Sequence, residues 1–161
     1  MRYWKHFLAA ATLGAVSVGI ASAQVAVSPD DWQVKCEEGG CLVIKPVASD
    51  NGKQLMSLTF AVSKTSGTIR MALLTPLGTS LEPGLRLAYG TTDQTYRFTT
   101  CMPDGCAILV DMAPDAIANL EVQPSMAVMF YAVNREEPYQ VMIDLDEMSE
   151  ALAVARAETQ K

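Results

Sequence analysis

Apolar and polar side chains alternate with a period of two through most of the chain beyond Trp32, the spacing that turns one face of a β-strand toward a core. Met56, Leu58, Phe60 and Val62 alternate with Ser57, Thr59 and Ala61, while Trp32, Val34 and Cys36 alternate with Gln33 and Lys35. The same pattern predicts strands over residues 41–47, 69–74, 85–89, 107–112, 126–133 and 139–145, with Tyr96 and Phe98 leading into a cysteine loop. Pro46 should lie at an edge or a strand end, because it has no N–H to give to a ladder. Turn formers punctuate the series at Asp50-Asn51-Gly52, residues 64–67, Pro76-Leu77-Gly78, Glu82-Pro83-Gly84 and residues 134–138. About eight short strands at such spacing point to an all-β fold, an antiparallel sandwich or barrel.

Two stretches carry helical spacing instead. Residues 114–120 place Pro114 in a first turn and Asp115 where it complements the helix dipole. From Glu147 onward, Met148, Leu152 and Ala155 share one face; Asp146 is the expected cap, Glu147 and Glu150 lie near the start and Arg156 near the end. A C-terminal helix of about two to three turns follows.

The N-terminus reads differently. Arg2 and Lys5 precede an apolar run of 14 residues, Phe7 to Ile20, and Ala21-Ser22-Ala23 has the small-x-small form that signal peptidase cleaves. The run falls short of the ~20 residues a helix needs to cross a bilayer. Cleavage is expected to leave Gln24 first, so residues 1–23 form an export signal and residues 24–161 a single β-sandwich domain, periplasmic or secreted. Gln24 is not a cysteine, so no lipid anchor is expected there.

Half of the 161 residues are apolar and 19% are charged, a balance that fits a globular chain and excludes a disordered polyelectrolyte. Loss of Arg2 and Lys5 from the 12 basic residues would leave ten against 18 acidic ones, a net charge of −8. The cations are scattered singly, which argues against nucleic acid as a partner and against docking on anionic membranes. His6 is the only histidine and lies in the export segment, so no imidazole base or ligand remains after cleavage.

Cys36-Glu-Glu-Gly-Gly-Cys41 and Cys101-Met-Pro-Asp-Gly-Cys106 share one layout, with glycine just before the second cysteine. In a hairpin with a four-residue loop the flanking residues face each other within disulfide reach, so each pair can staple its own hairpin. Pro103 and Gly105 suit the second and fourth positions of a type I turn that starts at Met102. Four cysteines allow three connectivities, and long bridges would close larger loops, yet near neighbours meet more often and the turn sequences hold them together. A four-cysteine zinc site is the alternative, with x₄ at the permissive edge of knuckle spacing, and a redox-active dithiol is a weaker one because C-x-x-C is absent.

Catalytic machinery is not evident. No Ser-His-Asp or Cys-His arrangement is available without histidine, and no phosphate loop, dinucleotide fingerprint or nucleophile elbow occurs. The remaining enzymatic route is a carboxylate pair, Asp104 with Asp111 or Asp144 with Asp146. Methionines at 56, 71, 102, 112, 126, 129, 142 and 148 raise copper binding, since thioethers suit Cu(I), but no M-x-M cluster concentrates them and strand positions favour core filling. Met126 and Met129, the closest pair, would point to opposite faces of a strand. Tyr89, Tyr96, Tyr131 and Tyr139 are candidates for a recognition surface or for half-buried sheet margins.

Trp32-x-Val34-x-Cys36 with Cys41 close behind, Pro76-Leu77-Gly78 with Leu81 and Gly84, Phe98-x-x-Cys101-x-Pro103-x-Gly105-Cys106 and a short final helix together resemble the invasion-associated locus B family. The likeness covers nearly the whole chain beyond the export segment. It implies an exported bacterial protein with an immunoglobulin-like β-sandwich and disulfide-bonded cysteines, named for a member associated with host-cell invasion. No catalytic residue and no cofactor is implied. Family members commonly carry Gly-Phe near the start of the final helix, where this chain has Glu147-Met148. The expectation is a non-enzymatic module that binds another protein or an envelope component through a loop end or sheet face. A periplasmic metal or redox protein is the competing class, and an envelope assembly factor is a third.

Overall fold

A computed structural model describes residues 31–49 and 52–161. The export segment and the Asp50-Asn51 part of the first expected turn lie outside the described residues.

The described chain runs through ten strands and two helices: β1 Gln33–Glu37, β2 Gly40–Ala48, β3 Gln54–Ser63, β4 Ile69–Thr75, β5 Leu85–Tyr89, β6 Thr92–Tyr96, β7 Thr100–Met102, β8 Gly105–Met112, α1 Pro114–Glu121, β9 Ser125–Phe130, β10 Tyr139–Asp144 and α2 Met148–Thr159. All pairings are antiparallel, in a six-stranded sheet of order β1-β2-β3-β4-β8-β7 and a four-stranded sheet of order β10-β9-β5-β6. The alternating positions supply the core between them. Val43, Leu58, Phe60, Met71, Leu73 and Ile108 from the larger sheet meet Leu85, Leu87, Met126, Val128, Phe130 and Ile143 from the smaller one. This is the expected antiparallel sandwich-like architecture.

Two strands carry too little apolar alternation to be legible. β6 reads Thr-Asp-Gln-Thr-Tyr and is mostly exposed, so it is placed by pairing with β5 and not by burying a face of its own. β7 has three exposed residues. The strand expected over 126–133 ends at Phe130, and Trp32 precedes β1 instead of belonging to it. Pro46 lies inside β2, but β1 pairs with it only as far as Ile44, so among the described residues no strand pairs with β2 on that side at the proline.

The larger sheet has an approximate two-fold axis through its centre. The registers make β1, β2 and β3 correspond to β7, β8 and β4, with Cys36, Cys41 and Val62 equivalent to Cys101, Cys106 and Thr75. The axis passes through the Thr59–Ala72 pair. The repeated cysteine loops of the sequence are therefore the two ends of one symmetric arrangement, placed on opposite edges.

α2 packs against β1, β2 and β3 and buries Met148, Leu152 and Ala155, the face its spacing predicts. Its N-cap is not Asp146. Glu147 takes that place in a left-handed conformation, φ 64°, and makes no side-chain cap bond. Asp146 serves through its backbone: its N–H donates to Asp144 Oδ1 at 2.8 Å, and its carbonyl accepts from Trp32 Nε1 at 2.8 Å. The indole also approaches Phe60, centroid to centroid 6.1 Å, so Trp32 ties the entry of β1 to the turn before α2. Arg156 of α2 reaches Glu121 at the end of α1 at 2.7 Å, placing a cation beside a carboxylate that the α1 dipole disfavours.

The left-handed position of Glu147 is one that glycine would fit better, since glycine accepts φ near 60° without the Cβ clash. Glu147→Gly should stabilise the protein by about 1 kcal/mol, the cost of a non-glycine residue in that region. Urea unfolding would show it as a raised midpoint with unchanged slope, and an unchanged or lowered midpoint would contradict it.

Candidate functional site

Cys36 faces Cys41 across β1 and β2, and Cys101 faces Cys106 across β7 and β8. Both pairs are bonded, with S–S distances of 2.05 and 2.07 Å, and no cysteine is free. The turns are tighter than the expected four-residue loops. Glu37 pairs with Gly40 and Met102 with Gly105, so Glu38-Gly39 and Pro103-Asp104 alone make the reversals.

The glycine before each second cysteine is required by close approach. Gly40 and Gly105 both have φ 149°; a Cβ at Gly40 would lie 2.2 Å from the Val62 carbonyl oxygen, and one at Gly105 2.1 Å from that of Thr75. The buried Thr75 hydroxyl then donates to the Cys106 carbonyl at 3.0 Å. Because the bridges sit on opposite edges of the sheet, the four sulfurs do not converge. The four-cysteine zinc site considered from the sequence is replaced by two local disulfides.

Several loops gather at the end of the sandwich that holds the second hairpin turn. Thr79 bridges to Ala132, the Ser80 N–H donates to the Tyr131 carbonyl at 2.7 Å, and the Val133 N–H donates to the Gly78 carbonyl at 2.9 Å. Thr79 is buried and its hydroxyl donates to the Pro76 carbonyl at 2.7 Å. These bonds fix the segment between β4 and β5 while leaving its apolar side chains outward. Leu77 is 62% exposed, Leu81 47% and, on the adjoining β9–β10 connection, Val133 73%. Beside Leu77, a depression of about 540 Å³ extends between Leu55, Pro76 and Asp104. Arg135 lies 4.3 Å above the ring of Tyr139, which stacks on Phe130 at 5.5 Å.

A second depression of about 550 Å³ occupies the matching place at the other end of the six-stranded sheet, lined by Lys35, Leu42, Ala61, Arg70 and Asp111. Its floor is crossed by a two-pronged ion pair, Arg70 Nε and Nη2 to the Asp111 carboxylate at 2.6 and 3.1 Å. That hydrogen bond holds the Asp111 carboxyl below the usual aspartate range.

The Asp104–Asp111 pair does not form a catalytic dyad. Asp104 and Asp111 stand at opposite ends of β8, about 20 Å apart at strand rise, beyond the ~5–10 Å that glycoside chemistry uses. Asp111 is shifted downward by its Arg70 partner, the opposite of what a general acid needs. Asp144 is engaged by the Asp146 N–H. Met56, Met71, Met126 and Met148 are buried in the core, whereas Met102 and Met142 are exposed. The tyrosines do not share one surface. Tyr89 is buried, and Tyr96, on the same core-facing side of the small sheet, is partly covered, its hydroxyl pKa raised by burial and then by Tyr89. The sequence marked Pro76-Leu77-Gly78 with Leu81 as a motif but not as an exposed apolar surface; the signal for that was leucine among turn residues, where no core face requires it.

The family model described as "Invasion associated locus B (IalB) protein" matches residues 32–156. The crystal structure of invasion associated protein B from Bartonella henselae superposes with a TM-score of 0.72 at 18% sequence identity, covering 81% of this chain and 94% of that chain. This likeness shows a shared fold. No curated protein matches the chain.

Gly105→Ala and Gly40→Ala should each cost about 2–3 kcal/mol, the cost of forcing an atom into a filled space in a strained backbone. Gly39→Ala should change little, because nothing lies within 4 Å of its added Cβ. Chemical denaturation of the three variants compares them directly, and equal stabilities would contradict the close-approach account.

Proposed function

The chain belongs to the invasion associated locus B family, and from that premise we propose that it is an exported, non-enzymatic binding module of the bacterial envelope, periplasmic or secreted. Residues 1–23 are removed on export. Two disulfides suit an oxidising compartment, where such bonds form and persist.

The observation that carries this reading is the rigid apolar loop end. Exposed leucine and valine on a segment held by main-chain hydrogen bonds can bury against a partner at little ordering cost. Its partner is another protein or an envelope component. A host-cell surface, the association in the family's name, is one such partner.

The test is capture from native periplasm with the full-length exported protein as bait. Leu77→Asp/Val133→Asp should fold normally and lose at least about tenfold of the partner recovered with wild type, because charged groups replace two apolar anchors. Val122→Asp, a change at another exposed valine, should retain it. Equal recovery by the double variant would contradict docking through the loop end.

A further inference from the structure

We propose that β10 is a docking edge to which an extended, basic segment of a partner protein adds as a fifth strand of the small sheet. The inference deepens the binding role above and rests on it, but uses a different surface.

Among the described residues four strands lie at sheet edges: β1, β7, β6 and β10. Natural proteins blunt such edges with short strands, charges, prolines or bulges, because unpaired main-chain groups recruit other chains. β7 has three residues, and β1 carries Lys35 and Glu37 and is bonded to its neighbour. β6 is polar throughout most of its length, with Asp93 held by Arg86 at 2.6 Å. β10 is different. It has six residues, Tyr-Gln-Val-Met-Ile-Asp, with no lysine, arginine or proline, and runs beside β9 without a register shift from Tyr139–Phe130 to Asp144–Ser125. Among the described residues its main chain pairs with β9 alone. Met142, 56% exposed, stands at the middle of its outward face between Gln140 and Asp144.

Charge selects the occupant. Exposed Glu136 and Glu137 precede the strand and exposed Asp144, Asp146 and Glu147 end and follow it; Arg135, the cation next to them in sequence, lies on the Tyr139 ring. A second copy paired antiparallel through β10 would set the acidic end of one strand against the acidic start of the other. Like charges across a ladder are unfavourable. A strand with lysine or arginine toward its ends and an apolar residue opposite Met142 meets both requirements, with main-chain bonds supplying affinity and alternate side chains supplying selectivity.

The experiment uses the exported, oxidised protein and a fluorescent peptide, Lys-Val-Thr-Val-Thr-Lys. Its companions are the same peptide N-methylated at alternate residues, in both phases, and a version with glutamate for lysine. Binding is read by anisotropy, and amide hydrogen exchange shows where the peptide lies. The expected result is slowed exchange within residues 139–144, at least tenfold weaker binding of the glutamate peptide and of one N-methylated phase, and tenfold weaker binding of the basic peptide to Asp144→Lys. The inference is overturned by no protection of β10 at millimolar peptide, by equal binding of both N-methylated phases and the parent, or by self-association of the protein alone that Met142→Lys abolishes. The Leu77→Asp/Val133→Asp protein separates the two readings: protection of β10 by peptide in that variant supports the edge even where the loop end proves to hold no partner.

Discussion

Both edges of the six-stranded sheet depend on one contact made twice, a glycine pressed onto a carbonyl of an inner strand with a disulfide-bonded cysteine immediately after it. Gly40 meets Val62 and Gly105 meets Thr75. β7 shows why a covalent tie is needed. Ordering its three residues costs about 3–6 kcal/mol of backbone entropy, and its exposed side chains recover little of that by burial. A bridge closing so short a loop supplies about 2 kcal/mol by restricting the unfolded chain, and the ladder to β8 must supply the rest.

The same contact positions the loop end. Thr75, on which Gly105 rests, is the last residue of β4, and the Pro76-Leu77-Gly78 segment starts at once beyond it. A secured second hairpin therefore fixes the base of the loop, and the bonds from Gly78, Thr79 and Ser80 to residues 131–133 fix its far side. Leu77 and Leu81 are held outward by backbone geometry and not by contacts of their own. Such a surface suits recognition, because little freedom remains to be lost when a partner covers it. The first hairpin has an equivalent depression, but there Ala61 and Thr68 stand where the second has Leu74 and Leu55, and the Arg70–Asp111 pair also lines it.

The sandwich was legible because burial on one face of a strand leaves a two-residue rhythm, as in Met56, Leu58, Phe60 and Val62. The final helix was legible from Met148, Leu152 and Ala155 for the matching reason. β6 and β7 were not, since an edge strand placed by its neighbour needs no apolar alternation. The matching cysteine loops were visible, but their two-fold relation was not, because it arises from β3 and β4, which share no sequence motif with each other. Glu147 shows the limit of capping rules: Asp146 looks like the better cap, yet its main chain is already committed to Asp144 and Trp32. Surface apolar residues are the hardest to interpret from sequence, as Leu77 resembles any other leucine until its exposure is known.

Amide hydrogen exchange on the oxidised protein and on protein with both disulfides reduced, under conditions where it stays folded, tests the edge-clamping claim most directly. The account predicts that β1, β7 and the facing ends of β2 and β8 lose protection on reduction, while β3, β4 and β9 keep theirs. Protection that is unchanged at both edges, or lost evenly across the sandwich, would contradict it.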